Sequence, residues 1–118
     1  MLIAEAKRYL KEISEFREML TAAAEARRLM EAKGLPYATE TEEAAVELVG
    51  RKVADAVRRI LELPPDEARV LLARYINGTP YAMLSEDELL AGMTQRTAER
   101  LLARAVERFA ENWRKAAA

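Results

Sequence analysis

Leu2, Ala6, Tyr9, Ile13, Phe16, Leu20, Ala23 and Met30 follow one another in steps of four and three, with Arg27 the one polar member of the series. Such a series is the seam of a helix that packs along a second helix. Glu5, Lys7, Arg8, Glu12, Arg17 and Glu18 occupy its other faces, where Lys11 and Glu15 stand at i, i+4. The helix should end near Lys33, because Gly34 can adopt the left-handed C′ conformation and Pro36 follows. At about 1.5 Å per residue it is roughly 48 Å long, too long to be covered by a compact core. It therefore needs a partner.

The next segment supplies one. Thr39 and Glu42 form a capping box that opens a helix running to about Leu63, along which Val46, Val49, Val53, Ala56, Ile60 and Leu63 repeat the same spacing. A connection of about five residues suits antiparallel neighbours, so residues 1–63 read as an αα-hairpin. It is either half of a bundle core or a dimerisation or docking arm.

Leu63-Pro64-Pro65 breaks the pattern, since proline cannot continue a helix but suits the first position of a new one. From Pro65 a helix should carry Val70, Leu71, Tyr75 and Ile76 to a stop at Asn77-Gly78, with Asp66 and Glu67 favourably placed at its N-terminus. Ser85 and Glu88 form a second capping box, leading through Leu89 and Leu90 to Gly92. Thr94 caps a long last helix whose apolar face is Ala98, Leu101, Leu102, Ala105, Val106, Phe109 and Trp113. The expected fold is all-α: the hairpin over 1–63, then a three-helix region over 64–118, the two forming one compact unit.

Composition agrees with this and removes much chemistry. Alanine is abundant and only 4 of the 118 residues are glycine, which favours long helices over β structure. There is no Cys and no His, so thiolate nucleophiles, the usual metal ligands and the commonest general base are all missing. Carboxylates such as Asp55 with Glu62, or Glu42, Glu43 and Glu47, are expected to be solvated helix acids, and no Gly-rich phosphate loop accompanies them. Neither an enzyme, a metal site nor a cofactor is expected. No apolar run approaches the ~18 residues of a membrane span, and the chain is read as cytoplasmic.

The net charge of −1 hides a local asymmetry. Arg96, Arg100, Arg104 and Arg108 recur every four residues along the last helix, and from Thr94 onward Arg114 and Lys115 join them against only Glu99, Glu107 and Glu111. At about 100° per residue the four arginines form one slowly drifting stripe nearly opposite the apolar face. Charge of that sign in that place suits phosphate contact, although acids three or four residues away could also pair with it. The punctuation before Thr94 is that of a helix-turn-helix, whose last helix enters the DNA major groove by its first residues. Those residues are Thr94, Gln95, Arg96, Thr97 and Arg100; Gln and Arg match adenine and guanine edges, and Thr serves base or phosphate.

Two stretches carry a resemblance. Leu63-Pro64-Pro65 through Arg69-Val70-Leu71-Leu72-Ala73-Arg74-Tyr75-Ile76-Asn77-Gly78, and Met93-Thr94-Gln95-Arg96-Thr97-Ala98-Glu99-Arg100 through Arg104-Ala105-Val106-Glu107-Arg108-Phe109, resemble sigma factor region 4. They are closer still to the phage-type transcriptional regulators built on that fold. The resemblance implies a DNA-binding regulator of transcription in which Gln95, Arg96, Thr97 and Arg100 approach DNA, and Tyr75, Leu101 and Val106 are core; the arginine stripe adds the expectation that Arg104 and Arg108 hold phosphates while Arg96, Gln95 and Arg100 read bases. It implies duplex DNA as partner, and the heptad seams of the hairpin leave it able to pair with a second copy or with RNA polymerase. One departure concerns the middle helix: Asp87 stands where an apolar scaffold residue belongs, so the acidic run Glu86-Asp87-Glu88 is expected to face solvent or a protein partner. The competing reading is a helical interaction or structural module, engineered or natural, whose arginines only solubilise it. Exposure of Tyr37, Tyr81 or Trp113 would favour that module, and a Trp113 packed on Phe109 would not.

Overall fold

A computed structural model describes residues 1–36 and 39–117. Every regular element among them is helical. The first helix, α1 (Ile3–Ala32), ends as its glycine predicts: Gly34 has φ +70°, its N–H reaches the Glu31 carbonyl, and the Leu35 N–H reaches Met30. This pair of bonds is a Schellman closure. The second, α2 (Glu40–Leu61), is opened by the reciprocal bonds of Thr39 and Glu42, at 3.3 Å to the Glu42 N–H and 2.8 Å back from the Thr39 N–H. Tyr37, named above as an interface candidate, lies outside the described residues.

Helices α1 and α2 pack side by side and antiparallel, with Lys52 over the Phe16 ring at 5.6 Å and Tyr9 near Asp55. Burial along the seam is uneven. Ala6, Ile13, Ala56, Ile60 and Leu63 are fully enclosed, joined by Leu10, which lies outside the four-three series; Leu20, Ala23, Val49 and Val53 are half-buried, and Val46 is exposed. Two helices cannot cover a seam from all sides, so it closes only where further elements lie across it.

Those elements are α3 (Pro65–Leu71) and α4 (Gln95–Ala117). Pro65 occupies the first helical position, where its missing N–H costs nothing, and the Ala68 N–H closes on the Pro64 carbonyl at 2.9 Å. Ala68, Val70 and Leu71 from α3 meet Ala98, Leu102, Ala105, Val106 and Phe109 from α4, and the same cluster takes in Ala6 and Leu10 of α1 and Ile60 of α2. One core thus spans both sides of Leu63-Pro64. Tyr75 and Leu101 sit half-buried at its edge and Val106 inside it.

The sequence differs from the structure most between Leu72 and Gly92. The helix expected to run unbroken to Asn77 widens after Leu71 into a π turn over Leu72–Ile76, with the Asn77 N–H on the Leu72 carbonyl at 2.8 Å, before Gly78 turns the chain at φ +73°. The expected middle α-helix is instead two 3₁₀ turns, Tyr81–Glu86 and Glu88–Leu90. Asp87 separates them because its side chain offers the backbone another partner. In extended conformation, it accepts the Leu89 N–H at 2.8 Å, the Thr79 hydroxyl at 2.6 Å and the Asn77 amide at 3.2 Å. Asp87 rather than Ser85 therefore caps the second turn, and it faces the π turn's end rather than solvent or a partner protein. Leu84 and Leu90, both fully buried, fasten the two turns to the core.

Candidate nucleic-acid interface

Thr94 starts α4 as its sequence predicts, accepting the Thr97 N–H at 3.2 Å and bonding to the Thr97 hydroxyl at 2.9 Å. Thr94 and Thr97 remain exposed at the helix start, beside a cleft bounded by Asp66, Arg69 and Leu89. Gln95 is spent differently. Its amide nitrogen donates to the Tyr81 carbonyl at 2.7 Å and its amide oxygen accepts the Ser85 N–H at 3.0 Å, so it clamps the first 3₁₀ turn onto the start of α4. A base-reading role for Gln95 would break both bonds, and the structure assigns it to positioning.

Arg96, Arg100 and Arg104 do form one exposed face, with the buried Ala98, Leu102 and Ala105 behind it. None of the three side chains makes a hydrogen bond or ion pair with the described residues. The acids that could have neutralised them do not. Glu99 is half-buried and its carboxylate lies beside Tyr81, whose pKa it raises, with slight burial adding to the shift. Neither Glu107 nor Glu111 comes within ion-pair distance of an arginine. Across a shallow cleft from Glu99, Lys7 of α1 and Arg74 of the π turn add positive charge on the flank of α4.

Arg108 leaves the stripe. Its Nε donates to both carboxylate oxygens of Glu67, at 2.9 and 3.0 Å, and Glu67 is 4% exposed. Its guanidinium neutralises a buried charge on α3, so a phosphate would have to compete for it. The sequence did carry a signal for this: Glu67 falls in the apolar spacing Leu63, Glu67, Val70, Leu71, a position that asks for a partner if filled by an acid.

The far end of α4 is structural. Trp113 lies 4.9 Å from the Tyr9 ring and 6.0 Å from Phe109, and Arg59 of α2 sits 4.0 Å over the indole while its Nε donates to Asp55 at 3.1 Å. Burial, then the Asp55 charge, raises the Tyr9 pKa against the opposing pull of Arg59. Trp113 thus ties α1, α2 and α4 together, against the interaction module, whereas Tyr81 is exposed, as that module would have it. Of the carboxylates weighed for chemistry, Asp55 pairs with Arg58 and Arg59, Glu47 with Arg51, and Glu42 caps α2. No group of three or more acids among the described residues is arranged to hold a metal ion, and no helix there is long and apolar enough to cross a membrane.

Compared with protein families, curated proteins and solved structures, the chain matches none.

Proposed function

We propose that the chain is a cytoplasmic DNA-binding regulator of transcription whose α4 enters the major groove by its N-terminal half, in the manner of a helix-turn-helix. One observation carries this reading: Arg96, Arg100 and Arg104 form an exposed stripe directly opposite the core, without acidic partners, immediately after a capped helix start. A surface made only for solubility tends to intersperse its charges and pair them at i, i+4, as Glu47 with Arg51 and Asp55 with Arg59 do on α2. The likeness to sigma region 4 in the stretches quoted above supports the same reading.

In this arrangement Arg96, Arg100 and Thr97 reach base edges, Thr94 and Arg104 hold phosphates, and Gln95 keeps the preceding turn in place. Arg108 supports α4 from behind through Glu67. The 3₁₀ turns stand where a scaffold helix would, with Leu84 and Leu90 holding the angle between α3 and α4. Duplexes selected from a random pool test it. Arg96→Ala should weaken the selected site by about 1–3 kcal/mol and relax one base position, while Arg104→Ala should weaken all sequences alike. Failure to enrich any duplex at low salt would refute the reading.

A further inference from the structure

Beyond the shared core, α1 and α2 have only each other. Met19 and Leu29 on α1 and Leu48 on α2 are each more than half exposed, at 58%, 56% and 53%. An apolar groove lined by Met19, Leu20, Ala23, Ala45, Val46 and Val49 opens between the two helices. At about 100° per residue, Glu15, Met19, Ala26 and Met30 lie along one edge of α1 beside this groove, and Lys33, the residue that caps α1, stands at the end of that edge.

The order of charge along that edge is its own complement. Glu15 and Lys33 are equidistant from Ala24, one acidic and one basic, with the apolar positions Met19 and Met30 placed almost symmetrically between them. Both charged residues are exposed, and neither side chain has a hydrogen-bond or ion-pair partner among the described residues. An identical helix running antiparallel sets Glu15 opposite the partner's Lys33 at both ends and groove against groove. A parallel copy would instead set like charges together.

We propose that this face of the α1–α2 pair is a homodimer interface, formed by two copies with their first helices antiparallel. The pairing stands on the α1–α2 face alone and does not depend on DNA binding. From Glu15 to Lys33 the strip is about 27 Å long, and two packed helices are about 20 Å wide, which gives on the order of 500 Å² per copy against the ~800 Å² of a standard interface. The dimer is therefore one that dissociates on dilution. It places two α4 helices at opposite ends of a common arm.

Sedimentation equilibrium of the full chain without DNA, from about 5 to about 500 µM, tests the pairing. The wild type should pass from monomer to dimer over this range. Glu15→Lys or Lys33→Glu alone should raise the dissociation constant by roughly 5- to 30-fold, because each puts like charges together at both ends of a symmetric interface, and the double reversal should restore it to within about threefold. Both positions are exposed, so circular dichroism should show each variant as helical as the wild type. A chain that stays monomeric throughout, or single reversals that leave dimerisation unchanged or tighten it, would overturn the proposal.

Discussion

Removing the Arg108 side chain should destabilise the fold rather than selectively weaken a phosphate contact. Glu67 is buried on α3, and both oxygens of its carboxylate accept from the Arg108 Nε. Arg108→Ala leaves that charge buried without a counter-ion. Losing one partner of a fully buried pair costs about 3–5 kcal/mol. The Arg108 side chain is itself 45% exposed, so water partly replaces it, and we expect about 2–3 kcal/mol, or roughly 10 °C in Tm for a domain of this size. Glu67→Leu with Arg108→Met should recover most of the loss, since an apolar pair of similar volume has no desolvation penalty. Urea unfolding followed by circular dichroism measures both variants, and Glu67→Leu and Arg108→Met made singly complete a double-mutant cycle that isolates the coupling. An Arg108→Ala variant within about 0.5 kcal/mol of wild type would refute the buried-pair reasoning and return Arg108 to the candidate phosphate ligands.

Three further expectations concern the segment that sets the angle of α4. Gln95→Ala should cost about 1–2 kcal/mol and raise amide exchange at Ser85, whose N–H it bonds; unchanged Ser85 protection would show that Gln95 does not clamp the turn. Thr94→Ala should lower stability by about 1 kcal/mol, read by the same urea titration, and Thr94→Asp should restore it through a charged cap. Burial would raise the Asp87 pKa, but bonds from Thr79, the Leu89 N–H and Asn77 outweigh it and hold it below 3.8. A depressed folded pKa means that the ionised form contributes stability above about pH 4, lost as pH falls through the folded value. Asp87→Asn should therefore flatten stability against pH as the pH falls below about 5, and a variant profile parallel to the wild type would contradict this.

What the sequence disclosed depended on how local each cause was. Capping by Thr39 and Thr94, the stop at Gly34 and the break at Pro64-Pro65 are fixed by residues a few positions apart, and each was readable. The π turn and the 3₁₀ pair were not. Ser85 with Glu88 has the same local spacing as Thr39 with Glu42, but Asp87 finds Thr79 and Asn77 across a turn and the capping box never forms. In the candidate interface, the exposure of Arg96, Arg100 and Arg104 followed from helical period alone. The withdrawal of Arg108 and Gln95 came from Glu67 on α3 and from the backbone of the first 3₁₀ turn, contacts 41, 10 and 14 residues away that no periodicity encodes.

The dependence of DNA affinity on salt tests the central claim most directly. Each arginine that neutralises a phosphate contributes about −0.9 to the slope of log K against log salt. Wild type should bind duplex DNA with a negative slope between about 50 and 200 mM salt, and Arg96→Ala/Arg100→Ala/Arg104→Ala, three exposed changes that leave the core untouched, should lose about 0.9 of that slope, the share of the Arg104 phosphate contact, together with most of the affinity. A slope and affinity unchanged in the triple variant would show that α4 does not face DNA.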